Sequence, residues 1–163
     1  MKELARRAQN GDAEAFIELI ENSRQSMQKI ARGFLHEQMD IDDAIADTVL
    51  ACWENISSLR SADYFKTWLV RILINKCRDI QRTRSRVLTL ESVEERTAPD
   101  SFEDTEFDWL IDLLDEQYRA IFILYYSEGF MIREISSILG LPPGTVGSRL
   151  KRGREQLRKL LEE

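Results

Sequence analysis

Glycine and proline are scarce in this 163-residue chain, with seven and three respectively. No glycine falls between Gly33 and Gly129, and Pro99 is the only proline before Pro142. So little punctuation leaves helix as the main structure. Histidine occurs once, at His36, which excludes a multi-histidine metal site and argues against a Ser-His-Asp triad. Two cysteines, Cys52 and Cys77, lie inside helical patterns with no cysteine or histidine at metal spacing, and read as small buried hydrophobes. No apolar run approaches the roughly 18 residues that a membrane span needs. The first 25 residues alternate charged and apolar side chains, so no secretory leader is expected and the chain reads as soluble and cytoplasmic. A glycine-rich phosphate loop, a Cys/His pair and a convergent carboxylate dyad are all missing, which argues against an enzyme and against a cofactor.

Hydrophobic content of 43% with 9% aromatic is ordinary for a folded globular protein. The net charge of −6 argues at first against a nucleic-acid partner, but its distribution reverses that impression. Residues 1–86 carry 14 Lys+Arg against 13 Asp+Glu, residues 87–107 carry 1 against 7, and residues 108–163 carry 8 against 9. The deficit sits in one short acidic segment. Arg71–Arg86 and Arg149–Lys159 each hold six positive residues and one negative, and local field decides the attraction of a polyanion.

Helical periodicity organises the rest. Asp12 can cap a helix carrying Phe16, Leu19 and Ile20, continued by Met27, Ile30, Ala31 and Phe34. Ile45, Val49, Cys52, Trp53 and Ile56 mark a second helix whose first turn is acidic, as the helix dipole favours. Phe65, Trp68, Leu69, Ile72, Leu73 and Ile80 mark a third. Residues 87–107 lose the period and read as a linker, with a short ordered piece near 88–93. Trp109, Leu110, Leu113 and Leu114 restart a helix that Tyr118, Ile121, Phe122 and Tyr125 extend. The expected architecture is all-α: two small helical domains, 1–86 and 108–163, joined by an acidic linker over 87–107.

Two patterns carry a binding function. The segment EISSILGLPPGTVGSRLKRGREQL (Glu134–Leu157) reads as a helix-turn-helix. Gly140 suits the positive φ of a helix end, Leu141 packs inward, and Pro142 or Pro143 suits a first helical turn. Val146, Leu150, Gly153 and Leu157 repeat as a buried face, while Thr145, Ser148, Arg149 and Arg152 share a polar, positive one, as major-groove reading requires. On the third helix, Arg71, Asn75, Arg78, Arg82 and Arg86 form one stripe, roughly a third of a turn from a buried Phe65–Trp68–Ile72 stripe. Asn offers a donor and an acceptor to a base edge while arginines hold phosphates. A solvated basic face is the plainer reading of such a stripe, and its pairing with a second DNA-type element weighs against that. Asp42, Asp43 and Asp47 lack a glycine-containing loop or an opposing carboxylate cluster, so a solvated or partner-facing helix outweighs a metal site.

Three segments in order, DIDDAIADTVLACWENI (Asp40–Ile56), FKTWLVRILINKCRDIQR (Phe65–Arg82) and the helix-turn-helix, resemble bacterial sigma factors of the extracytoplasmic function group, within the sigma-70 family. The most specific element is Trp68, Leu69, Arg71, Ile72, Asn75, Asp79 and Arg82, with Gly144–Arg149 beside it. The resemblance implies an alternative sigma factor that binds core RNA polymerase and directs promoter-specific initiation. Its first domain would be region 2-like, docking on the β′ clamp helices through Asp43, Asp47, Thr48 and Trp53. Asn75, with Arg71, Arg78 and Arg82, would hold the melted −10 element, and the loop Leu59, Arg60, Ser61, Ala62 and Asp63 would cradle a flipped base. Its second domain would be region 4-like, contacting the β flap and reading the −35 duplex with Thr145, Ser148, Arg149 and Arg152, together with Lys151. The acidic linker would thread the RNA-exit region, and a separate anti-sigma factor is an expected partner. Four positions depart from the family pattern. Ala46 replaces a usual Gln, and Gly147 a common Lys. Met131 stands where Ser or Thr usually caps, with Ser136 in place of Ala, so about 1 kcal/mol of capping and the box partner of Glu134 are expected to be lost. The competing readings are a stand-alone helix-turn-helix activator or repressor and, more distantly, an enzyme.

Overall fold

The computed structural model describes residues 1–88 and 106–162, and every regular element among them is helical. The chain divides into two compact units, Met1–Glu94 and Glu95–Glu163. Most of the expected linker, including the short piece near 88–93, lies outside the described residues. Its two ends belong to helices, since 87–88 close one helix and 106–107 open the next.

The first unit holds α1 (Lys2–Gln9), α2 (Ala13–Arg32), α3 (Gln38–Asn55) and α4 (Phe65–Leu88). Helix α1 was not expected, and it buries only Ala5 and Ala8 against α2. Gly11, at φ +91°, makes the sharp corner between them, a conformation costly for any residue with a Cβ. Asp12 caps α2 as expected: its Oδ1 accepts from the Ala15 N–H at 3.1 Å while Arg7 holds Oδ2 at 2.7 Å. Helix α2 ends at Gly33, so Phe34 lies beyond it.

Helix α4 packs on α2 and α3. Its buried side chains are Phe65, Leu69, Val70, Leu73, Ile74 and Cys77, while Trp68, Ile72 and Ile80 are half-buried. Contact with two helices widens and rotates the buried face. The Arg71–Arg86 stripe therefore lies nearly opposite the core, rather than a third of a turn from it. Helix α3 contributes Ile41, Ala44, Thr48 and Cys52 to the same core. Burial pushes both thiols, Cys52 and Cys77, up to about 12.

The second unit contains α5 (Glu106–Leu113), α6 (Glu116–Phe122), α7 (Ile132–Leu139) and α8 (Pro143–Glu162). One long first helix was expected; the chain instead breaks at Leu114–Asp115. There Arg119 Nε donates to the Leu114 carbonyl at 3.0 Å and Gln156 of α8 accepts from the Asp115 N–H at 3.0 Å. Helix α6 runs into a π-helical turn, Ile123–Ser127, closed by Gly129 at φ +72°. The core gathers Ile111, Leu114, Ile121, Leu124, Ile135, Val146 and Leu150.

Candidate nucleic-acid and protein interfaces

Helix α8 starts at Pro143, whose missing N–H falls among the donors that a first turn leaves unpaired anyway. Pro142 closes the turn before it, its carbonyl accepting from Thr145 N at 3.0 Å and Val146 N at 3.2 Å. Gly140 takes the left-handed conformation at φ 68°, and Leu141 is half-buried behind it. The Ser136 hydroxyl donates to the Leu141 carbonyl, and the Leu141 N–H returns a bond to the Ser136 carbonyl at 3.1 Å. Ser136 thus braces the turn, which its reading as a mere replacement did not anticipate. Glu134 keeps one arm of its capping box, since its carboxylate accepts from the Met131 N–H at 3.0 Å. The reciprocal arm needs a side-chain oxygen that methionine lacks.

Val146, Leu150 and Gly153 are buried and Leu157 is half-buried, so the expected inner face of α8 is present. Gly153 has a specific reason. A Cβ there would sit 2.3 Å from Cε2 of Phe122, so α8 approaches that ring as only glycine permits. Ser148 and Arg152 are exposed, and Thr145 and Arg149 are half-buried on the same side. Lys151 is exposed but lies about 100° around the helix from Arg152, off the face of the other four. Arg154 is exposed and lies along the surface of the π turn, its Nε donating to the Tyr126 hydroxyl at 2.6 Å.

Arg71, Asn75, Arg82 and Arg86 are exposed on α4, and Arg78 is half-buried beside them. Arg82 also meets Asp79 at 3.3 Å across one helical turn. Over 15 residues the stripe extends about 22 Å. The loop before α4 consists of two short 3₁₀ turns, Ile56–Ser58 and Ala62–Tyr64. Its Leu59 is buried and its carbonyl accepts from Gln9 Nε2 at 2.7 Å, so Leu59 anchors the loop instead of lining a pocket. Asp63 pairs with Lys2 at 2.9 Å, and that bond holds its carboxyl below the usual range. The Ser61 hydroxyl accepts from the Asp63 N–H at 3.3 Å, Arg60 is exposed, and Ser61 and Ala62 are half-exposed. Helix α1, the element that periodicity missed, is therefore what positions this loop.

On α3, Asp43 and Asp47 are exposed and Trp53 is 44% exposed, its ring tilted against that of Phe16 with centroids 5.0 Å apart. Thr48 does not share their face. It is fully buried, and its hydroxyl donates to the Ala44 carbonyl at 2.6 Å, so it has no surface to offer a partner. Leu50, 60% exposed and three residues from Trp53, completes that outward face with Ala46. The spacing of Leu50 from Trp53 and Asp47 was the available signal for it. No group of three or more potential metal ligands occurs among the described residues.

Two family models match the chain: Sigma-70 region 2 over residues 19–87, and Sigma-70, region 4 over residues 106–157. The RNA polymerase sigma factor NccH of Alcaligenes xylosoxydans xylosoxydans is 32% identical, over 98% of this chain and 93% of its own. The ECF RNA polymerase sigma factor SigM of Mycobacterium tuberculosis is 31% identical, over 93% of this chain and 79% of its own. Among solved structures, the sigma factor RpoE of Bartonella quintana, in complex with the anti-sigma factor NepR, aligns with a TM-score of 0.74 at 25% identity. That alignment covers 92% of this chain and 98% of RpoE.

Proposed function

Because the chain belongs to the sigma-70 family, as an alternative sigma factor of the extracytoplasmic function group that directs RNA polymerase to specific promoters, we propose a division of labour among its surfaces. The outward face of α3, with Asp43, Asp47 and Trp53, docks on the β′ clamp helices, and Leu50 adds apolar area. Asn75 contacts a base of the melted −10 strand, while Arg71, Arg78 and Arg82 hold its phosphates. Arg60, Ser61, Ala62 and Asp63 receive a flipped base, and Leu59 fixes the loop from inside. Thr145, Ser148, Arg149 and Arg152 enter the major groove of the −35 element, and Lys151 meets a flanking phosphate. The domain limits on this reading are 1–86 and 108–163, with the acidic stretch between them threading the polymerase's RNA-exit region.

The observation that carries this reading is the exposure of Asn75 within a row of arginines, on the side of α4 away from the core. A solvated face needs no asparagine at its centre, whereas a single-stranded base edge needs a group that both donates and accepts. The protein performs no covalent chemistry. It promotes melting by binding the opened −10 strand better than the duplex, and it works in the cytoplasm with the polymerase. A separate anti-sigma protein holds it inactive, in keeping with the complex in which RpoE was solved.

Run-off transcription with bacterial core polymerase, on fragments upstream of this protein's own gene, tests the assignment. Asn75→Ala is expected to lower open-complex yield with polymerase binding intact, and an unchanged yield would remove Asn75 from the −10 contact. Arg149→Ala is expected to weaken −35 recognition by roughly 1–3 kcal/mol. Equal losses on scrambled −35 sequences would reduce Arg149 to a phosphate contact. Tight binding to duplex DNA without polymerase would favour a stand-alone regulator instead.

A further inference from the structure

The basic run that ends α4 faces two ways. Arg71, Arg78, Arg82 and Arg86 lie with Asn75, whereas Arg84 falls about half a turn around the helix and points toward α3. Its Nε donates to Oδ2 of Asp40 at 2.9 Å and its Nη2 to Oδ1 at 2.8 Å, a two-pronged grip. The same Nη2 reaches Oε2 of Glu37 at 3.2 Å. One turn earlier, Gln81 Nε2 donates to the Phe34 carbonyl at 2.7 Å. All three partners belong to the first turn of α3 or to the chain just before it. The end of α4 is thereby tied to the beginning of α3 in an antiparallel pair.

The Asp40 side chain is only 13% exposed, and its hydrogen bonds, then its charge, raise the guanidinium's pKa above the ordinary value. Arg84 itself is 47% exposed, so the pair adds little to global stability. What a paired fork adds is a fixed direction. It controls the last two turns of α4, which carry Arg82 and Arg86 and would otherwise fray as helix ends do. Helix α3 carries Asp43 and Asp47 on its exposed side, so one tie joins the element bearing that face to the element bearing the Asn75 stripe.

We propose that Arg84 is a positioning residue for promoter melting: its grip on Asp40 and Glu37 sets the direction in which the last two turns of α4, with Arg82 and Arg86, meet the opened strand when polymerase is docked on α3. This rests on the division of surfaces given under Proposed function. The test has one readout that depends on that division and one that does not.

Hydrogen exchange on the free protein reads the tie directly. Arg84→Ala is expected to speed exchange of amides 82–88 about fivefold or more, with the melting temperature little changed. In open-complex assays the same variant is expected to lose about fivefold in yield at full core-polymerase affinity. Arg84→Lys, which keeps the charge and loses the fork, should recover part of that yield. Asp40→Arg with Arg84→Asp, in a Glu37→Gln background, should recover most of it by rebuilding the fork from the other side. Core affinity falling in step with open-complex yield, or no recovery in the reversed pair, would overturn the proposal. Asn75→Ala run alongside separates the failures. Loss there with full yield from Arg84→Ala removes the positioning role, whereas full yield from both removes the surface assignment beneath it.

Discussion

Helix α4 meets its neighbours with Phe65, Leu69, Leu73 and Ile74, all nearly inaccessible, whereas α8 meets its own with Val146, Leu150 and a glycine. Both helices are long, basic on one side and expected to read DNA, yet bulk holds one and close approach holds the other. In the first unit, large aliphatic side chains separate the helix axes and fill the space between them. In the second, Gly153 lets α8 settle onto the ring of Phe122, which fixes the pitch of α8 against α6. The same polar task therefore rests on opposite sensitivities. Helix α4 is vulnerable to losing volume, and α8 to gaining it.

Opposite substitutions at the two seams give the largest effect and can break the comparison. Leu73→Ala removes a fully buried side chain and is expected to cost the first unit about 2–5 kcal/mol. Gly153→Ala drives a methyl into the Phe122 ring and is expected to cost the second unit about 1–3 kcal/mol. Phe122→Leu should return part of that loss in the Gly153→Ala background, though it would destabilise the parent. Denaturant unfolding followed by tryptophan fluorescence separates the units, because Trp53 and Trp68 report on the first and Trp109 on the second. A Gly153→Ala protein as stable as the parent would mean that α8 shifts freely on α6, and the contrast between the helices would fall.

Cysteine sharpens the contrast on a smaller scale, since Cys52 and Cys77 both belong to the first unit. Burial raises each thiol to about 12 in the folded protein, from an ordinary value near 9. Below pH 9 both folded and unfolded chains hold the proton, and the contribution is fully present. As pH rises from 9 toward 12, only the unfolded chain ionises, and stability is lost. The expected loss is about 1 kcal/mol per thiol by pH 10, confined to the Trp53 and Trp68 signal. Replacing both cysteines with alanine lowers stability below pH 9, where the thiols are protonated in both states, and should flatten this slope above it. An equal slope in the Trp109 signal would assign the effect to tyrosine and lysine ionisation in general.

How legible each helix was follows from what announces it. Asp12 and Gly140 declared their helix ends because capping oxygens and left-handed glycines have few other uses. Helix α1 stayed hidden because its buried face is two alanines, Ala5 and Ala8, which carry almost no apolar signal. The break before α6 was invisible because Leu113, Leu114 and Tyr118 keep helical spacing straight across it. Thr48 is a polar residue whose hydroxyl is satisfied by its own helix, and it was the family resemblance, matched position by position, that set it on the docking face. The family resemblance placed Leu59 in a base-cradling loop, while its own burial makes it the loop's anchor. The grip of Arg84 on Asp40 joins residues 44 apart in sequence, beyond the reach of periodicity.

The smallest prediction returns to the helix-turn-helix and compares its first cap with that of α2. Asp12 supplies both a backbone conformation and an acceptor, whereas Met131 supplies only the conformation, at φ −73° and ψ 156°. That backbone is already extended as a cap requires, and Glu134 already accepts from its N–H. Met131→Thr therefore adds the missing oxygen without moving the chain, and should stabilise the second unit by about 0.5–1 kcal/mol. The gain should appear in the Trp109 transition alone and vanish in a Glu134→Ala background only in part, because the threonine arm bonds to backbone. The methionine side chain is 49% exposed, so its removal opens no cavity to offset the gain. A Met131→Thr protein no more stable than the parent would show that the exposed thioether packs on the turn well enough to replace a cap.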